Sequence, residues 1–218
     1  MRNKTIVPLR AEEELDWKNS TIDYLKGLLD KPFPNALGQD LMHADALIPV
    51  RHFKGDLLLQ PGKNVDTAWF LRKGLVKMYY YTKDGNCVLV HIWDGNSIVV
   101  LFRKFKTGKR NRKYYIEVME DSELVGISSA TMQLIYAQHP FAQELTDEIL
   151  ARQTQQEELQ KEILQMTDRK ERYKRLKELF PEFLVHRKWR LTNAEICMFI
   201  GISVGTLAES RKLYPEGV

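Results

Sequence analysis

A run of basic side chains that no acidic residue interrupts lies between residues 103 and 113. Seven of its eleven residues are basic and none is acidic: Arg103, Lys104, Lys106, Lys109, Arg110, Arg112 and Lys113. Guanidinium and ammonium groups this close together suit a phosphate or a carboxylate, and they also suit nucleic acid. The alternative is a solvated loop that binds nothing, and the sequence leaves both interpretations open.

The distribution of charge along the chain points to a second basic segment. From Thr167 onward there are eleven lysines and arginines against seven aspartates and glutamates, whereas the residues before it are neutral in sum. The whole net charge of +4 therefore lies at the C-terminal end. An excess of positive charge concentrated in one small segment is expected of a nucleic-acid-binding end.

The same C-terminal segment carries helix-start and turn signals at the spacing of two short helices. Thr192 and Glu195 form a capping box ahead of an apolar run. Gly201 gives the turn, and Ser203 caps a second helix that we expect to reach Lys212 or the next residue. Two short helices joined by a tight glycine turn are typical of the helix-turn-helix motif, although any small helical hairpin can carry such a turn.

The residue types that carry enzyme chemistry are not arranged for it. The sequence has no paired nucleophile and base, no cluster with metal-ligand spacing and no phosphate-binding glycine loop, and its five histidines are scattered singly. Its two cysteines, Cys87 and Cys197, lie in different segments and cannot supply a metal or iron–sulfur site by themselves. His91 is a conceivable haem ligand, but a lone strand histidine is more often a packing residue. We expect neither enzymatic activity nor a cofactor or metal.

Length and composition are those of an ordinary globular chain. Hydrophobic residues make up 44% and charged residues 28% of the 218 residues, which suffices for one large domain or one medium and one small. No apolar run reaches the roughly 18 residues that cross a bilayer, and Met1–Arg10 lacks the apolar core of a signal peptide. Because no disulfide framework is indicated either, we expect a cytoplasmic protein without a membrane partner.

A long helix is predicted from Pro140 to Asp168. Proline is tolerated in a first helical turn, and neither glycine nor proline follows before Met166. One set of residues along this helix, called the seam here, recurs at alternating spacings of four and three. That spacing is typical of a helix that packs along a partner. The expected dimer positions are Leu145, Ile149, Arg152, Gln156, Leu159 and Ile163. The alternative is an amphipathic helix packed on its own domain.

Between Phe53 and Ser128 the sequence predicts short strands with little helix. Pro61-Gly62, Asp84-Gly85 and Asp94-Gly95 give turns between runs rich in β-branched and aromatic residues. Regularly spaced strands of this kind predict an antiparallel sandwich or barrel. The expected strands are Asp56–Gln60, Thr67–Leu71, Leu75–Thr82, Cys87–Trp93, Ser97–Phe102, Tyr114–Met119 and Glu123–Ile127.

Further helices are predicted from capping residues and apolar spacing. They are one or two short helices within Glu12–Leu29, one from the Ser128-Ser129 pair to Gln138, and one from an Asp168 cap to Phe180.

The order of these parts resembles the Crp/Fnr family of bacterial transcription regulators, closest to the short, wing-less members common in Bacteroidetes. The resemblance covers roughly residues 38–213 and is carried by Gly55–Gly74, Tyr114–Leu124, Ala137–Pro140 and Leu191–Ser203. It implies an α+β fold: an antiparallel β-roll (a double-stranded β-helix of the cyclic-nucleotide-binding type), a long dimerisation helix, and a small all-α helix-turn-helix domain. The implied domains are residues 1–37 as an N-terminal helical extension, 38–139 as the β-roll, 140–167 as the dimerisation helix, and 168–218 as the DNA-binding domain without a wing.

The resemblance also places an effector pocket, and here the sequence departs from the pattern that binds cyclic AMP. Relatives that bind it carry Gly-Glu-Leu, whose Glu accepts from the ribose, and an Arg-Ser or Arg-Thr pair for the phosphate. The corresponding residues here are Val99, Val100, Leu101, Arg112 and Lys113. Val100 cannot accept a hydrogen bond, so a ribose hydroxyl beside it would be buried unpaired at a cost of about 1–3 kcal/mol. We therefore expect an effector other than cyclic AMP.

For DNA, the resemblance implies contacts from the C-terminal helix pair. The implied contact residues are Thr192, Asn193, Ser203, Val204, Thr206, Ser210, Arg211 and Lys212. Relatives often read bases with an Arg, a Glu and a second Arg, where this sequence has Val204, Gly205 and Glu209. Gly205 weakens the helix by up to about 1 kcal/mol, and Glu209 places a negative charge where phosphates are expected.

Two functions remain after these departures. The first is a dimeric, sequence-specific DNA-binding regulator in which Arg169–Lys177, Arg187, Lys188 and Arg190 contact phosphates. The second is a degenerate module for ligand sensing or protein interaction that keeps its helical hairpin only for packing. We favour the first, with DNA, a second copy of the chain and an unidentified small-molecule effector as partners.

Overall fold

The computed structural model describes residues 9–43, 45–185 and 188–215 and combines helices with antiparallel strands. The helices are α1 (Ala11–Lys26), α2 (Asn35–Met42), α3 (Phe102–Thr107), α4 (Ser129–Gln138), α5 (Pro140–Gln165), α6 (Glu171–Leu179), α7 (Asn193–Ile200) and α8 (Val204–Leu213). The strands are β1 (Ile48–His52), β2 (Leu57–Leu59), β3 (Thr67–Lys73), β4 (Leu75–Tyr81), β5 (Cys87–Asp94), β6 (Ser97–Val99), β7 (Tyr115–Val118), β8 (Ser122–Ser128), β9 (Leu184–Val185) and β10 (Lys188–Trp189). A short 3₁₀ turn covers Pro181–Phe183.

Two four-stranded sheets form the β-roll, in the orders β1-β8-β3-β6 and β2-β7-β4-β5. In the first sheet β8 pairs antiparallel with both β1 and β3, and β3 pairs antiparallel with β6. The glycine turns predicted between the strands lie between β2 and β3, β4 and β5, and β5 and β6. The predicted fold class, a β-roll followed by a long helix and a helical C-terminal region, is confirmed.

The chain divides into two compact units. The first contains the residues up to Lys77 together with Ile92–Ala151, and the second contains Met78–His91 and the residues from Arg152 onward. Helix α5 contributes its first half to the first unit and its second half to the other. No helix within the described ranges is both long and apolar enough to cross a membrane.

The core of the first unit lies between the sheet β1-β8-β3-β6 and a layer of helices. It is built from Trp17, Ile22, Leu28, Leu37, Leu41, Leu47, Phe70, Val125, Ile135, Ala142 and Leu145. The helix predicted in the N-terminal segment is therefore part of this core through Trp17 and Ile22. Trp17 is also covered by two guanidinium groups, since Arg51 and Arg72 lie 5.7 and 5.9 Å from its ring centre.

The core of the second unit is centred on three aromatic rings. Phe180 and Phe183 stack with their ring centres 5.4 Å apart, and Phe199 meets both edge-on. Phe180 follows α6, Phe183 belongs to the 3₁₀ turn and Phe199 belongs to α7, so the rings hold α7 in place. Gln160 of α5 adds a buried hydrogen bond, donating to the Phe199 carbonyl oxygen at 3.0 Å.

Two local predictions were wrong, and one helix was not predicted. Asp168 does not cap the helix after α5: α6 begins at Glu171, and the Asp168 carboxylate accepts from the Lys170 N–H at 2.8 Å to close the turn before it. The strand expected over Ser97–Phe102 ends at Val99. The helix that was not predicted is α3, which forms the first part of the basic run and is anchored by the buried Phe105.

Candidate functional site

A pocket of about 650 Å³ opens in the β-roll of the first unit. Its walls come from the segment that runs from β2 into β3, from the end of β6 and from the loop after α3. The lining residues are Leu57, Leu58, Leu59, Gln60, Gly62, Lys63, Asn64, Val65, Asp66, Thr67, Trp69, Val99, Val100, Leu101, Arg110 and Ile116.

The apolar residues predicted for the pocket line it. Val99, Val100 and Leu101 form the wall where β6 ends, and Val99 pairs with Trp69 on β3. Val100 is only 5% exposed, so its side chain is a fixed apolar surface. A hydroxyl placed against it would find no acceptor there.

The basic residues predicted for the pocket lie elsewhere. Arg112 and Lys113 are exposed and do not line it, and the Lys113 ammonium lies 5.3 Å from the centre of the Tyr114 ring. The residue of the basic run that lines the pocket is Arg110, whose backbone forms a β-bridge with Asn64. Sequence reasoning missed Arg110 as the lining residue, although the composition of the run pointed to this loop.

Asn111 fixes the loop that presents Arg110. The Asn111 amide is fully buried, donates to the Tyr114 carbonyl at 2.6 Å and accepts from the Tyr114 N–H at 3.1 Å. Its backbone N–H donates to the Lys63 carbonyl at 2.8 Å, and its carbonyl accepts from the Gly62 N–H at 2.7 Å. Gly62 has φ of 89°, a conformation that favours glycine. The loop is thereby tied to the turn after β2.

The pocket combines two positive side chains with apolar walls. Arg110 and Lys63 supply the positive charge, and Asp66 is the one acidic group among the lining residues that the structure describes. Gln60 and Asn64 add amide groups that both donate and accept hydrogen bonds. The arrangement suits a small ligand with an anionic group and an apolar body.

His91 is a core residue and not a ligand of the pocket. Burial lowers the pKa of its imidazole to about 3, so the ring is neutral at physiological pH. Within residues 9–43, 45–185 and 188–215, no group of three or more His, Cys, Asp or Glu side chains could hold a metal ion.

The C-terminal helix pair in the second unit begins with the predicted capping box. The Thr192 N–H donates to the Glu195 carboxylate at 2.9 Å, and the Glu195 N–H donates to the Thr192 hydroxyl oxygen at 3.3 Å. Asn193 is the first residue of α7 and is exposed. Gly201 ends α7 with φ of 64°. These residues set the turn between α7 and α8.

Arg172 locks this turn onto the rest of the second unit. Its guanidinium donates to the carbonyl oxygens of Met166, Ile200 and Gly201 at 2.8, 3.2 and 3.0 Å. A Cβ atom on Gly201 would lie 3.0 Å from Leu164 and 3.2 Å from the Arg172 guanidinium. The turn therefore has little freedom, and α8 is held in one orientation within this unit.

Helix α8 turns one predicted DNA contact inward. Ser203 caps the helix by accepting from the Thr206 N–H at 3.1 Å. Ser210 is fully buried, and its hydroxyl donates to the Thr206 carbonyl at 2.8 Å. Val204 is 61% exposed and Lys212 is exposed, whereas Arg211 is half-buried.

The negative charge of Glu209 is matched by a neighbour on the approach to α6. The Lys170 ammonium lies 2.7 Å from the Glu209 carboxylate. The hydrogen bond and charge of Lys170 lower the pKa of Glu209, and the pKa of Lys170 is raised in turn. Both side chains are at the surface, so the pair contributes little to stability. Its effect is to offset a charge on the exposed face of α8.

The basic residues expected to contact phosphate are only partly available. Arg169 and Lys174 are exposed, whereas Arg175 binds the carboxylates of Glu162 and Glu178 at 2.8 and 2.9 Å. Arg187 lies outside the described residues.

The six predicted dimer positions differ in exposure along α5. Leu145 is 4% exposed in the core of the first unit, and Ile163 is fully buried in the second. The four positions between them are half-buried or exposed: Ile149, Arg152, Gln156 and Leu159. Because the single chain already covers both ends of the seam, the surface left for a second copy is the middle of the helix.

Comparison with known proteins extends these observations. Residues 49–139 match the family of the cyclic nucleotide-binding domain. The structure of FixK2 from Bradyrhizobium japonicum has a TM-score of 0.64 at 13% identity, over 77% of this chain and 83% of its own. The structure of CLP, described as a c-di-GMP-responsive global regulator of Xanthomonas campestris, has a TM-score of 0.63 at 16% identity. The match covers 83% of this chain and 91% of CLP. The structure of a protein of Eubacterium rectale, described as a transcriptional regulator of the Crp/Fnr family, has a TM-score of 0.65 at 15% identity. The match covers 84% of this chain and 83% of that protein. No curated protein matches the chain. The chain thus contains a cyclic nucleotide-binding-type domain and shares the fold of Crp/Fnr regulators.

Proposed function

We propose that this chain is a dimeric DNA-binding transcription regulator of the Crp/Fnr type, whose effector is not cyclic AMP. Solved structures with this fold include proteins described as a global regulator and as a Crp/Fnr transcriptional regulator. The observation that carries the proposal for this chain is the exposed face of α8, where Lys170 offsets the charge of Glu209. That offset answers one of the objections raised by the sequence, namely the negative charge of Glu209.

Helix α8 is suited to enter a major groove. Its exposed residues include the small or basic Val204, Gly205 and Lys212 beside the paired Glu209. The clamp formed by Arg172 fixes the orientation of the helix in the unit. In helix-turn-helix proteins the second helix contacts base edges while neighbouring groups contact phosphates. Arg169 and Lys212 would supply phosphate contacts here, which set affinity and its salt dependence.

Dimerisation through α5 would place two copies of α8 for successive major grooves, about 34 Å apart. The middle of the helix remains available for that contact, and Ile149 and Leu159 are its half-buried apolar residues. Arg152 and Gln156 are polar positions of the kind that fix register and partner number at a cost in stability.

The β-roll pocket supports effector binding but not the recognition of a ribose. Val100 offers no hydrogen-bond acceptor where the nucleotide-binding pattern has a Glu, and Arg110 lines the pocket instead of Arg112. A cyclic nucleotide would bury a hydroxyl unpaired at this wall.

The second candidate is a ligand-sensing or protein-interaction module that does not read DNA. The burial of Ser210 favours it, because that predicted contact cannot reach a base. The two candidates differ in one observable, namely salt-sensitive binding to a specific DNA sequence.

The test is a mobility-shift titration of the full chain against its own upstream region at several salt concentrations. We expect specific binding that weakens steeply with salt. Arg211→Ala and Lys212→Ala together should weaken it about tenfold or more, whereas Lys73→Ala, an exposed residue of the other unit, should not. The absence of salt-sensitive binding at micromolar protein would favour the second candidate.

A further inference from the structure

A second, apolar cavity lies in the first unit behind the β-roll pocket. Its volume is about 90 Å³, and it is bounded by the sheet, by α1 and α2, and by α3, α4 and the start of α5. Side chains such as Leu25, Leu41, Phe70, Phe105 and Ile135 line it. The cavity is therefore an apolar void in the core, and the effector pocket is a separate opening.

The polar atoms around this inner cavity already have hydrogen-bond partners. The Thr21 hydroxyl donates to the Trp17 carbonyl at 2.9 Å. The Thr146 hydroxyl donates to the Ala142 carbonyl at 2.9 Å and accepts from the Tyr136 hydroxyl at 2.7 Å. A water molecule needs two or more polar partners to be held, so this cavity should be dry. Dry apolar cavities bind apolar groups, as an engineered cavity of about 150 Å³ binds benzene.

Two side chains separate the inner cavity from the effector pocket. Trp69 and Val100 line both spaces, so the two spaces adjoin at these residues. The Trp69 indole lies close over Gly126, where a Cβ atom would come within 2.7 Å of the ring. The Trp69 ring is therefore packed against β8, and Val100 is the smaller of the two residues in this wall.

We propose that the effector is an amphipathic carboxylate, whose head group lies at Arg110 and Lys63 and whose short hydrocarbon tail passes between Trp69 and Val100 into the inner cavity. The inference rests on the proposed effector function of the β-roll pocket and names the ligand class that this pocket takes. Arg110 forms two parallel hydrogen bonds with a carboxylate when the geometry allows, which a neutral head group cannot match. Val100 then contacts the hydrocarbon tail at the position where the ribose of a nucleotide would need a hydrogen-bond acceptor.

The same geometry gives a route by which a ligand acts on the long helix. Ala142 and Leu145 of α5 line the inner cavity, and so does Leu41 of α2. Protein cores are close-packed, so atoms added to this void press on its walls. A tail in the cavity would therefore change the packing of the first turns of α5, the helix proposed to form the dimer.

The experiment is a calorimetric titration of the full chain with straight-chain carboxylates from acetate to octanoate, kept below micelle-forming concentrations. We expect one site per chain and an affinity that rises about fourfold for each added methylene group until the cavity is filled. The matching alcohols, which have the same tails and no charge, should bind at least tenfold more weakly. An affinity that does not depend on chain length would overturn the proposal.

Variants separate the head and tail contacts. Arg110→Ala should weaken every carboxylate about tenfold and leave the alcohols unchanged, whereas Arg112→Ala, an exposed residue of the same loop, should change neither. Val100→Trp should abolish the dependence on chain length by closing the wall, and Val100→Ala should retain or increase it. Equal behaviour of the two Val100 variants would contradict a tail route through this wall, even if one of them folds poorly.

The DNA titration distinguishes failure of this inference from failure of the proposed function. If no carboxylate binds but DNA binding is specific and salt-sensitive, the ligand class is wrong and the regulator function stands. If the carboxylates bind as expected and DNA does not, the ligand class stands and the DNA-binding function is wrong.

Discussion

Single side chains decide whether the C-terminal surface can approach a polyanion. Glu209 on α8 would repel phosphates if it stood alone, but Lys170 holds its carboxylate at 2.7 Å. At the surface such a pair adds little stability, yet it changes the local charge that an approaching phosphate meets. The two residues therefore matter for binding more than for folding.

Replacing Lys170 with Ala should weaken DNA binding more than the loss of one phosphate contact alone, because it also exposes the charge of Glu209. We expect a loss of about tenfold or more for Lys170→Ala and recovery of a substantial part of that loss in the Lys170→Ala, Glu209→Gln double variant. Mobility-shift titrations at fixed low salt would measure both. Additive effects of the two substitutions would contradict compensation.

Buried His91 makes stability depend on pH. The pKa of its imidazole is about 3 in the folded chain, below the value of about 6.5 of an unfolded chain. Between these values the unfolded chain binds more protons, so stability falls as the pH falls. Burial also lowers the pKa of His52, which acts in the same direction.

We expect the His91 effect to cost about 2 kcal/mol of unfolding free energy between pH 7 and pH 5. The lowered pKa of Glu13 and of Glu209 acts only at more acidic pH, so the two effects separate. Urea unfolding at the two pH values would measure the difference, and His91→Phe should reduce it. An equal loss in that variant would show that the imidazole is not responsible.

At this scale the sequence predicted residue types better than residue positions. The basic run pointed to the correct loop, but the choice of Arg110 over Arg112 depends on the hydrogen bonds that tie Asn111 to the turn after β2. Those bonds join segments distant in sequence and leave no local signal. For Ser210 a signal was available, because it follows buried Leu207 by three residues on the same helical face.

Helix α5 is the element that connects the proposed activities. Its first half lines the inner cavity in the first unit, and its second half carries Gln160, which donates to the Phe199 carbonyl in the second. Between them lies the part of the seam that a partner copy would cover.

Leu159→Glu should disrupt the proposed dimer, because it would place two carboxylates in an apolar contact between partner helices. Lys161→Glu lies on the exposed side of the same helix and serves as the control. Sedimentation at about 1–100 µM protein would give the assembly state of each. A native chain that is monomeric over this range would contradict the dimer.

Element boundaries show where local sequence reasoning is strong and where it is weak. The hairpin over β4 and β5 and helix α4 with its Ser128 cap are confirmed to within a residue or two. Helix α5 begins at Pro140 as predicted and ends at Gln165, three residues before the predicted end. Helix α3 was missed because it has only six residues and a basic sequence, and its one buried anchor is Phe105. Helix α2 was missed because two prolines obscure its start.

At the scale of the whole molecule, the fold and the ligand chemistry of the pocket point to different classes of ligand. Residues 49–139 match the cyclic nucleotide-binding domain, but Val100 and Arg110 give the pocket a different chemistry. A shared fold does not determine the ligand, which the side chains of the site select.

Adding cyclic AMP at about 1 mM should leave the melting temperature of the chain unchanged within error. A ligand at 100 times its dissociation constant stabilises the folded state by about 2.7 kcal/mol, which shifts the Tm of a chain of this size by several degrees. Differential scanning calorimetry with and without the nucleotide would detect that shift. A rise of several degrees would show that the pocket accepts a ribose despite Val100.

The N-terminal helices have a practical consequence for anyone who wishes to isolate the sensing half. A fragment cut at residues 49 and 139 would lose Trp17, Leu37 and Leu41 along with the opening turns of α5, all of which cover β3 and β8. Without these residues the apolar face of the sheet would be exposed to water, and the fragment would aggregate. An excised sensor that stays in solution must begin by residue 9 and continue past Ile149.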